Sequence, residues 1–221
     1  MDKKIYDNFI AILTEELIPA MGCTEPIALA YASAKGAKVL GGEVIKITAK
    51  CSGNIIKNVR CVRIPNSNGM TGVEAACVLG ALCGDESRNM EVLEAVTDEG
   101  RRKAALFLSA GKCEVEYLES IIPLHFIIEL YSEKSKVKVE VRHSHTNISL
   151  IEKDGEVLFR QDDVKEETIA VDRTDLNVEN IFEFAENIEI ERITPFTKRQ
   201  IECNMAIAEK GMQGGFGLGI G

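Results

Sequence analysis

Apolar residues recur at helical spacing from the start of the chain. Ile5, Phe9, Ile12, Leu13 and Leu17 are separated by polar residues, which predicts an amphipathic helix over residues 3–18, stopped by Pro19. A second stripe, Ile27, Ala30, Tyr31 and Ala34, is rich in alanine and predicts a helix that approaches its neighbours closely before Gly41-Gly42 ends it. The period then changes to two: Ile45, Ile47 and Ala49 alternate with Lys46, Thr48 and Lys50, as in a half-buried strand. Residues 51–58 read as a polar capped turn. Pro65 to Gly72 reads as a glycine-punctuated loop opening into a buried helix, Val73 to Leu82. Met90, Leu93, Val96, Ala104, Phe107 and Leu108 predict a long helix that tolerates Gly100 and ends at Gly111.

From residue 112 the alternation returns. Cys113 to Tyr117, Phe126 to Leu130 and Lys136 to Arg142 predict three strands of an antiparallel meander, and Asn147–Ile151 with Glu156–Arg160 a hairpin about an Asp154-Gly155 turn. Residues 162–175 are acidic and read as an exposed connection. Val178, Ile181, Phe182, Ala185 and Ile188 predict a helix capped by Thr174 or Asn177, followed by another from about Thr197 to Lys210. Six of the last eleven residues are glycine, so 212–221 read as the Gly-rich end of an interrupted chain. The expected fold class is α+β, with helices from both chain ends packed against an antiparallel sheet from the middle. It is a single unit over 1–221, helical in 1–111 and 174–211 and β-rich in 112–161, and the strand near 43–50 is expected to join that sheet.

A chain of 221 residues buries enough surface to fold without disulfides or metal. Its formal charge of −9 and the lack of a basic stripe argue against nucleic-acid binding. No apolar run approaches the ~20 residues of a membrane span, and the start MDKKIYDNF has no signal-peptide core, so a cytoplasmic protein without a membrane partner is expected. Seven cysteines without C-x-x-C spacing read as thiols in a reducing compartment, and Cys77 and Cys83 as packing residues.

Candidate chemistry centres on Gly22-Cys23-Thr24-Glu25-Pro26, the turn between the first two helices. A cysteine at a helix N-terminus is expected to lean toward thiolate, fit for metal ligation or nucleophilic attack, whereas a free cysteine of no chemical role is a small buried hydrophobe. Glu25 is a carboxylate for catalysis or simply a favourable charge in the first helical turn. Ser52 and Asn54 are able to cap the next turn, Lys57 to offer a cation, and the loop before residue 73 to meet a substrate carboxylate with its amides. His145 reads as a base, an orienting donor or a structural histidine; His125 and His143 show no pattern.

These motifs resemble one family, the L-cysteine desulfidases and their relatives, themselves distantly similar to the α-region of iron–sulfur L-serine dehydratases. The resemblance is carried by Gly22-Cys23-Thr24-Glu25-Pro26, by Ser52, Asn54, Lys57 and Asn58, by Gly69-Met70, by Leu79-Gly80-Ala81-Leu82-Cys83-Gly84 and by His145-Thr146-Asn147-Ile148. Nearly all of the chain is covered, but as the amino-terminal half of proteins about twice as long. One departure is Arg142-His143-Ser144, where members tend to have glycine. The resemblance implies a pyridoxal-independent lyase that converts L-cysteine and water to pyruvate, ammonia and sulfide. It implies a [4Fe-4S] cluster in the complete enzyme, absent from this chain alone, with Cys23 as one ligand. Glu25 and His145 would be catalytic, and Ser52, Asn54, Lys57, Asn58, Gly69, Met70, Thr146 and Asn147 would bind a small amino-acid substrate. The partner would be a carboxy-terminal half or a second copy in a homo-oligomer. An L-serine dehydratase-like deaminase and a non-catalytic regulatory or assembly domain are the alternatives; a nucleotide- or pyridoxal-dependent enzyme is disfavoured, since no phosphate loop is present.

Overall fold

The computed structural model describes residues 2–161 and 171–215. Its helices are α1 (Lys3–Glu16), α2 (Thr24–Leu40), α3 (Gly53–Val59), α4 (Gly72–Cys83), α5 (Asp98–Ser109), α6 (Val178–Asn187) and α7 (Ile190–Met212). Its strands are β1 (Lys46–Cys51), β2 (Cys113–Tyr117), β3 (His125–Tyr131), β4 (Lys136–Arg142), β5 (Ile148–Lys153) and β6 (Glu156–Arg160). The fold is α+β, with helices toward both ends and the sheet from the middle of the chain. The described residues fall into two compact units, one of residues 20–161 and one of 2–19 with 171–215.

In the larger unit the six strands lie in the order β2-β1-β3-β4-β5-β6. Strand β1 joins the sheet as expected, but it inserts between β2 and β3, and it runs parallel to β2 with Ile47 opposite Cys113. The sheet is therefore mixed, and β2 and β3 are not the meander neighbours that their order suggests. The physical reason is the connection: three helices intervene between β1 and β2, long enough for the crossover that parallel pairing requires. The remaining pairs are antiparallel, and the β5–β6 hairpin turns at Asp154 (φ 53°) and Gly155 (φ 88°), the paired left-handed conformations of a two-residue turn.

One face of the sheet carries the core. Ile47, Ala49 and Cys51 of β1, Phe126, Ile128 and Leu130 of β3, and Val137, Val139 and Val141 of β4 are buried with α2 and α4. Gly80 fixes the spacing of those two helices. A Cβ on it would stand 2.1 Å from the Ala30 carbonyl oxygen of α2. The Leu79–Gly84 motif is thus explained by helix packing. The expected long helix over 90–108 is instead a 3₁₀ segment, Glu86–Glu91, and α5, which starts where the Thr97 hydroxyl caps Gly100 N–H. Met90, Leu93 and Val96 are buried, so their apolar character reported burial and not helical period.

The opposite sheet face is polar. Glu129 is buried beneath Lys50 and Lys136, and Tyr131 donates to it. Glu140 Oε1 takes His125 Nε2 at 2.8 Å and Arg142 Nη2 at 2.7 Å, while His125 Nδ1 meets Ser120 Oγ. These ionic contacts outweigh burial and hold both carboxyls below the ordinary glutamate range.

The smaller unit holds α1, α6 and α7. Phe9 and Ile12 of α1 meet Phe184 of α6 and Val171, with the Phe9 and Phe184 rings 5.3 Å apart edge to face. The Asn8 amide exchanges hydrogen bonds with the Asp172 backbone, and Arg192 of α7 lies over the Tyr6 ring and pairs with Asp7 at 3.1 Å. Of the two caps proposed for α6, Asn177 is used, accepting from Asn180 N–H. Helix α7 starts earlier than expected and passes through Pro195 in its second turn. Among the described residues no helix is long and apolar enough to cross a membrane. Most of the acidic stretch over 162–175 and the glycines beyond 215 lie outside the described residues.

Candidate thiol–carboxylate site

Cys23 is the N-cap of α2, preceded by Gly22 at φ 76°. A Cβ on Gly22 would lie 3.2 Å from Pro65 Cγ, so the turn rests against the start of the glycine loop. Glu25, in the first turn of α2, gathers the neighbouring polar groups. Cys23 Sγ donates to Oε2 at 3.2 Å, Thr24 Oγ1 to the same oxygen at 3.3 Å, and Asn58 Nδ2 of α3 to Oε1 at 3.0 Å. Partial burial pushes the Glu25 carboxyl up. Its own backbone amide, the Cys23 and Asn58 hydrogen bonds and the charge of His145 outweigh that and leave it below the ordinary range. His145 itself stands in the connection between β4 and β5.

The thiol behaves otherwise than the helix-terminus argument predicts. Cys23 is exposed, yet partial burial of its sulfur, the hydrogen bond to Glu25 and the Glu25 charge raise its pKa; the Thr24 and Glu25 amides only oppose this. The helix end favours an anion, but the carboxylate takes that place and a thiolate beside it would be a second negative charge. The shift of Cys23 is therefore away from thiolate.

The remaining expected residues occupy varied places. Ser52 is buried at the N-cap of α3, and its hydroxyl donates to the Pro123 carbonyl at 2.6 Å while its amide donates to His125 O. Asn54 and Lys57 are exposed on α3. Gly69 is exposed at φ 90°, and Met70 is partly buried against the core. Thr146 is exposed in the hairpin tip, where Asn147 Nδ2 donates to Arg142 O at 2.9 Å and closes the turn. His143 adopts φ 69° there, a left-handed conformation that is uncommon for a residue with a side chain. Glu25, Asn58 and Cys23 are thus brought together by hydrogen bonds, while Asn54, Lys57, Gly69 and Thr146 are exposed.

Asn66 was missed. At φ 54° its amide donates to the carbonyls of Leu93, Glu94 and Val96, and Arg101 Nη1 binds its side-chain oxygen at 2.8 Å, so this residue sets the shape of the loop behind Gly22. An Asn two residues ahead of the Asn68-Gly69 pair was the available signal, since asparagine tolerates the left-handed region. The His125–Glu140–Arg142 cluster had no sequence signal, because it forms across strands whose register is unknown beforehand. Beside it, a cleft of about 380 Å³ is lined by Lys138, Glu140, Arg142, Leu150 and Arg160.

The fold and this site define an α+β unit that presents one exposed thiol against a buttressed carboxylate. Over 217 residues the chain is 39% identical to a UPF0597 protein of Lachnoclostridium phytofermentans, a match that takes in 98% of this chain and 52% of the relative. It is 39% identical to a UPF0597 protein of Desulfitobacterium hafniense, with 99% and 51% covered, and 36% identical to one of Treponema denticola, with 100% and 52% covered. The chain thus spans about half the length of the curated relatives it matches. No family model matches the chain, and no solved structure does.

Proposed function

We propose that the chain is the amino-terminal portion of a lyase of the L-cysteine desulfidase type, acting on a small β-substituted amino acid. The observation that carries this is the meeting of two motifs of the resemblance at Glu25, the Cys23 turn and Asn58 of α3. Glu25, held ionised by its donors, accepts a proton, and His145 is the second catalytic group of this reading. Asn58 holds the carboxylate in one orientation. The exposed rim residues, with Lys57 among them, supply the cation and amides that a substrate carboxylate needs.

The iron–sulfur cluster belongs to this reading only for the complete protein. Among the described residues no three His, Cys, Asp or Glu side chains converge as a metal site. Cys51 and Cys77 are buried core thiols, with Cys51 pushed up to about 12 by burial. Three or four convergent thiolates are needed to hold a [4Fe-4S] cluster, and this donor set does not fit one.

The test joins the chain to the part of the L. phytofermentans relative outside the match, reconstitutes it anaerobically with iron and sulfide, and measures sulfide and pyruvate from L-cysteine. Sulfide release abolished by Cys23→Ser and lowered at least a hundredfold by Glu25→Gln is expected. Pyruvate from L-serine without turnover of L-cysteine would move the reading to the dehydratase, and turnover of neither would favour the regulatory domain.

A further inference from the structure

Helix α7 runs for 23 residues and none of them is buried. Ile190, Ile201, Met205 and Met212 fall within about 60° of one another at 100° per residue, a stripe about 33 Å long. On α6, Val178 and Phe182 stand one turn apart. All six are between 52% and 88% exposed. Among its described residues the unit that holds both helices buries four apolar side chains, Phe9, Ile12, Val171 and Phe184. An independent domain needs a far larger core, and a bare helix of this length is marginal in water. What is missing is therefore the core of a domain and not a small contact patch.

We infer that the apolar stripe of α7, extended by Val178 and Phe182 of α6, docks the half of the protein that the relatives possess outside this match, so that residues 2–19 and 171–215 are one wall of a helical domain completed by that half. The relatives supply the argument for this occupant: the match takes in 52% of the L. phytofermentans protein, which leaves a domain-sized segment tethered to the same polypeptide at high effective concentration. A second copy of the chain offers no such tether. The inference holds whatever reaction the protein performs.

The experiment fuses the segment of the L. phytofermentans relative outside the match to the chain after Gly221, and compares backbone hydrogen exchange in the fusion and in the 221-residue chain, each with its mass in solution measured. At least tenfold slower exchange in α7 of the monomeric fusion is expected, with β3 and β4 unchanged. Ile201→Glu with Met205→Glu should return α7 to the rate of the shorter chain, whereas Glu152→Lys on the sheet should not. Equal α7 exchange in both proteins would overturn the inference, as would an α7 already protected in the shorter chain, either as a monomer or as a dimer of that chain. The readout is protection and not turnover, so failure of the lyase reading leaves it standing.

Discussion

Both oxygens of Glu25 are engaged, one by Asn58 and the other by Cys23 and Thr24, and after burial this carboxylate is the main influence that raises the Cys23 pKa. Replacing the carboxylate by an amide removes the charge that opposes thiolate. Glu25→Gln should therefore lower the Cys23 pKa and speed its alkylation at pH 8 by a few-fold, since each pKa unit is worth about tenfold in thiolate and part is returned as lower nucleophilicity. Rates by mass spectrometry across pH 7–9 check this; slower alkylation in the variant would show that the carboxylate activates the thiol as a base. Glu140 offers a second residue-scale test. Its folded pKa lies below the ordinary value of 4.5, so its contribution to stability is present above that value and disappears as pH falls through the folded pKa. Glu140→Leu leaves His125 and Arg142 without the carboxylate between them and should cost about 3 kcal/mol at pH 7. The penalty should shrink in urea titrations taken below pH 4.5. A penalty that stays flat down to pH 3 would show that packing, and not charge, is what the substitution removes.

At the scale of elements, the two glycines of the α2 and α4 layer behave differently because of what their missing Cβ atoms would meet. Gly80→Ala would drive its methyl into the backbone of Ala30, which cannot move without displacing α2, and should cost about 3 kcal/mol. Gly36→Ala would meet the Leu130 Cδ1 methyl at 2.2 Å, the end of a side chain that is able to rotate, and should cost about 1 kcal/mol. Chemical denaturation of the two variants decides, and equal losses would mean that helix spacing is not set at Gly80. The same elements show what was legible in the sequence. Strand periods in β3 and β4, the Asp154-Gly155 turn and the helical stripes of α1 and α2 are local, and each stands where its pattern places it. The parallel pairing of β1 with β2 depends on where a three-helix excursion returns, which no local period encodes. Within the site, the Cys23 turn and its carboxylate are four residues of contiguous chain and could be read directly. Asn58 reaches Glu25 only after α3 has folded against α2. The raised pKa of Cys23 was missed because it follows from the direction in which the Glu25 side chain turns.

At the scale of the whole chain, the two units differ in what holds them. Residues 20–161 bury a contiguous core between sheet and helices, with Ile27, Leu29, Ile47, Leu79, Phe126 and Ile128 fully enclosed. Residues 2–19 and 171–215 rely on four buried apolar side chains together with exposed ion pairs such as Arg173 with Glu15 and Arg192 with Asp7. Exposed pairs contribute less than about 1 kcal/mol each and are screened by salt, whereas each enclosed Leu, Ile or Phe contributes about 1.5–3 kcal/mol. The 221-residue chain should consequently unfold in two steps. Amides of α1 and α6 should lose protection at a urea concentration well below the one that opens β3 and β4, and the first step should move to lower urea still in 0.5 M salt, as screening weakens the ion pairs. Phe184→Ala should abolish the first step by melting the smaller unit outright, because that ring contacts both Phe9 and Tyr6, while leaving the second midpoint in place. Pulse hydrogen exchange along a urea gradient reads both steps at the level of peptides. Coincident loss of protection in α1 and β3, shifted together by Phe184→Ala, would mean that the chain is one cooperative structure and that its division into two units has no energetic counterpart.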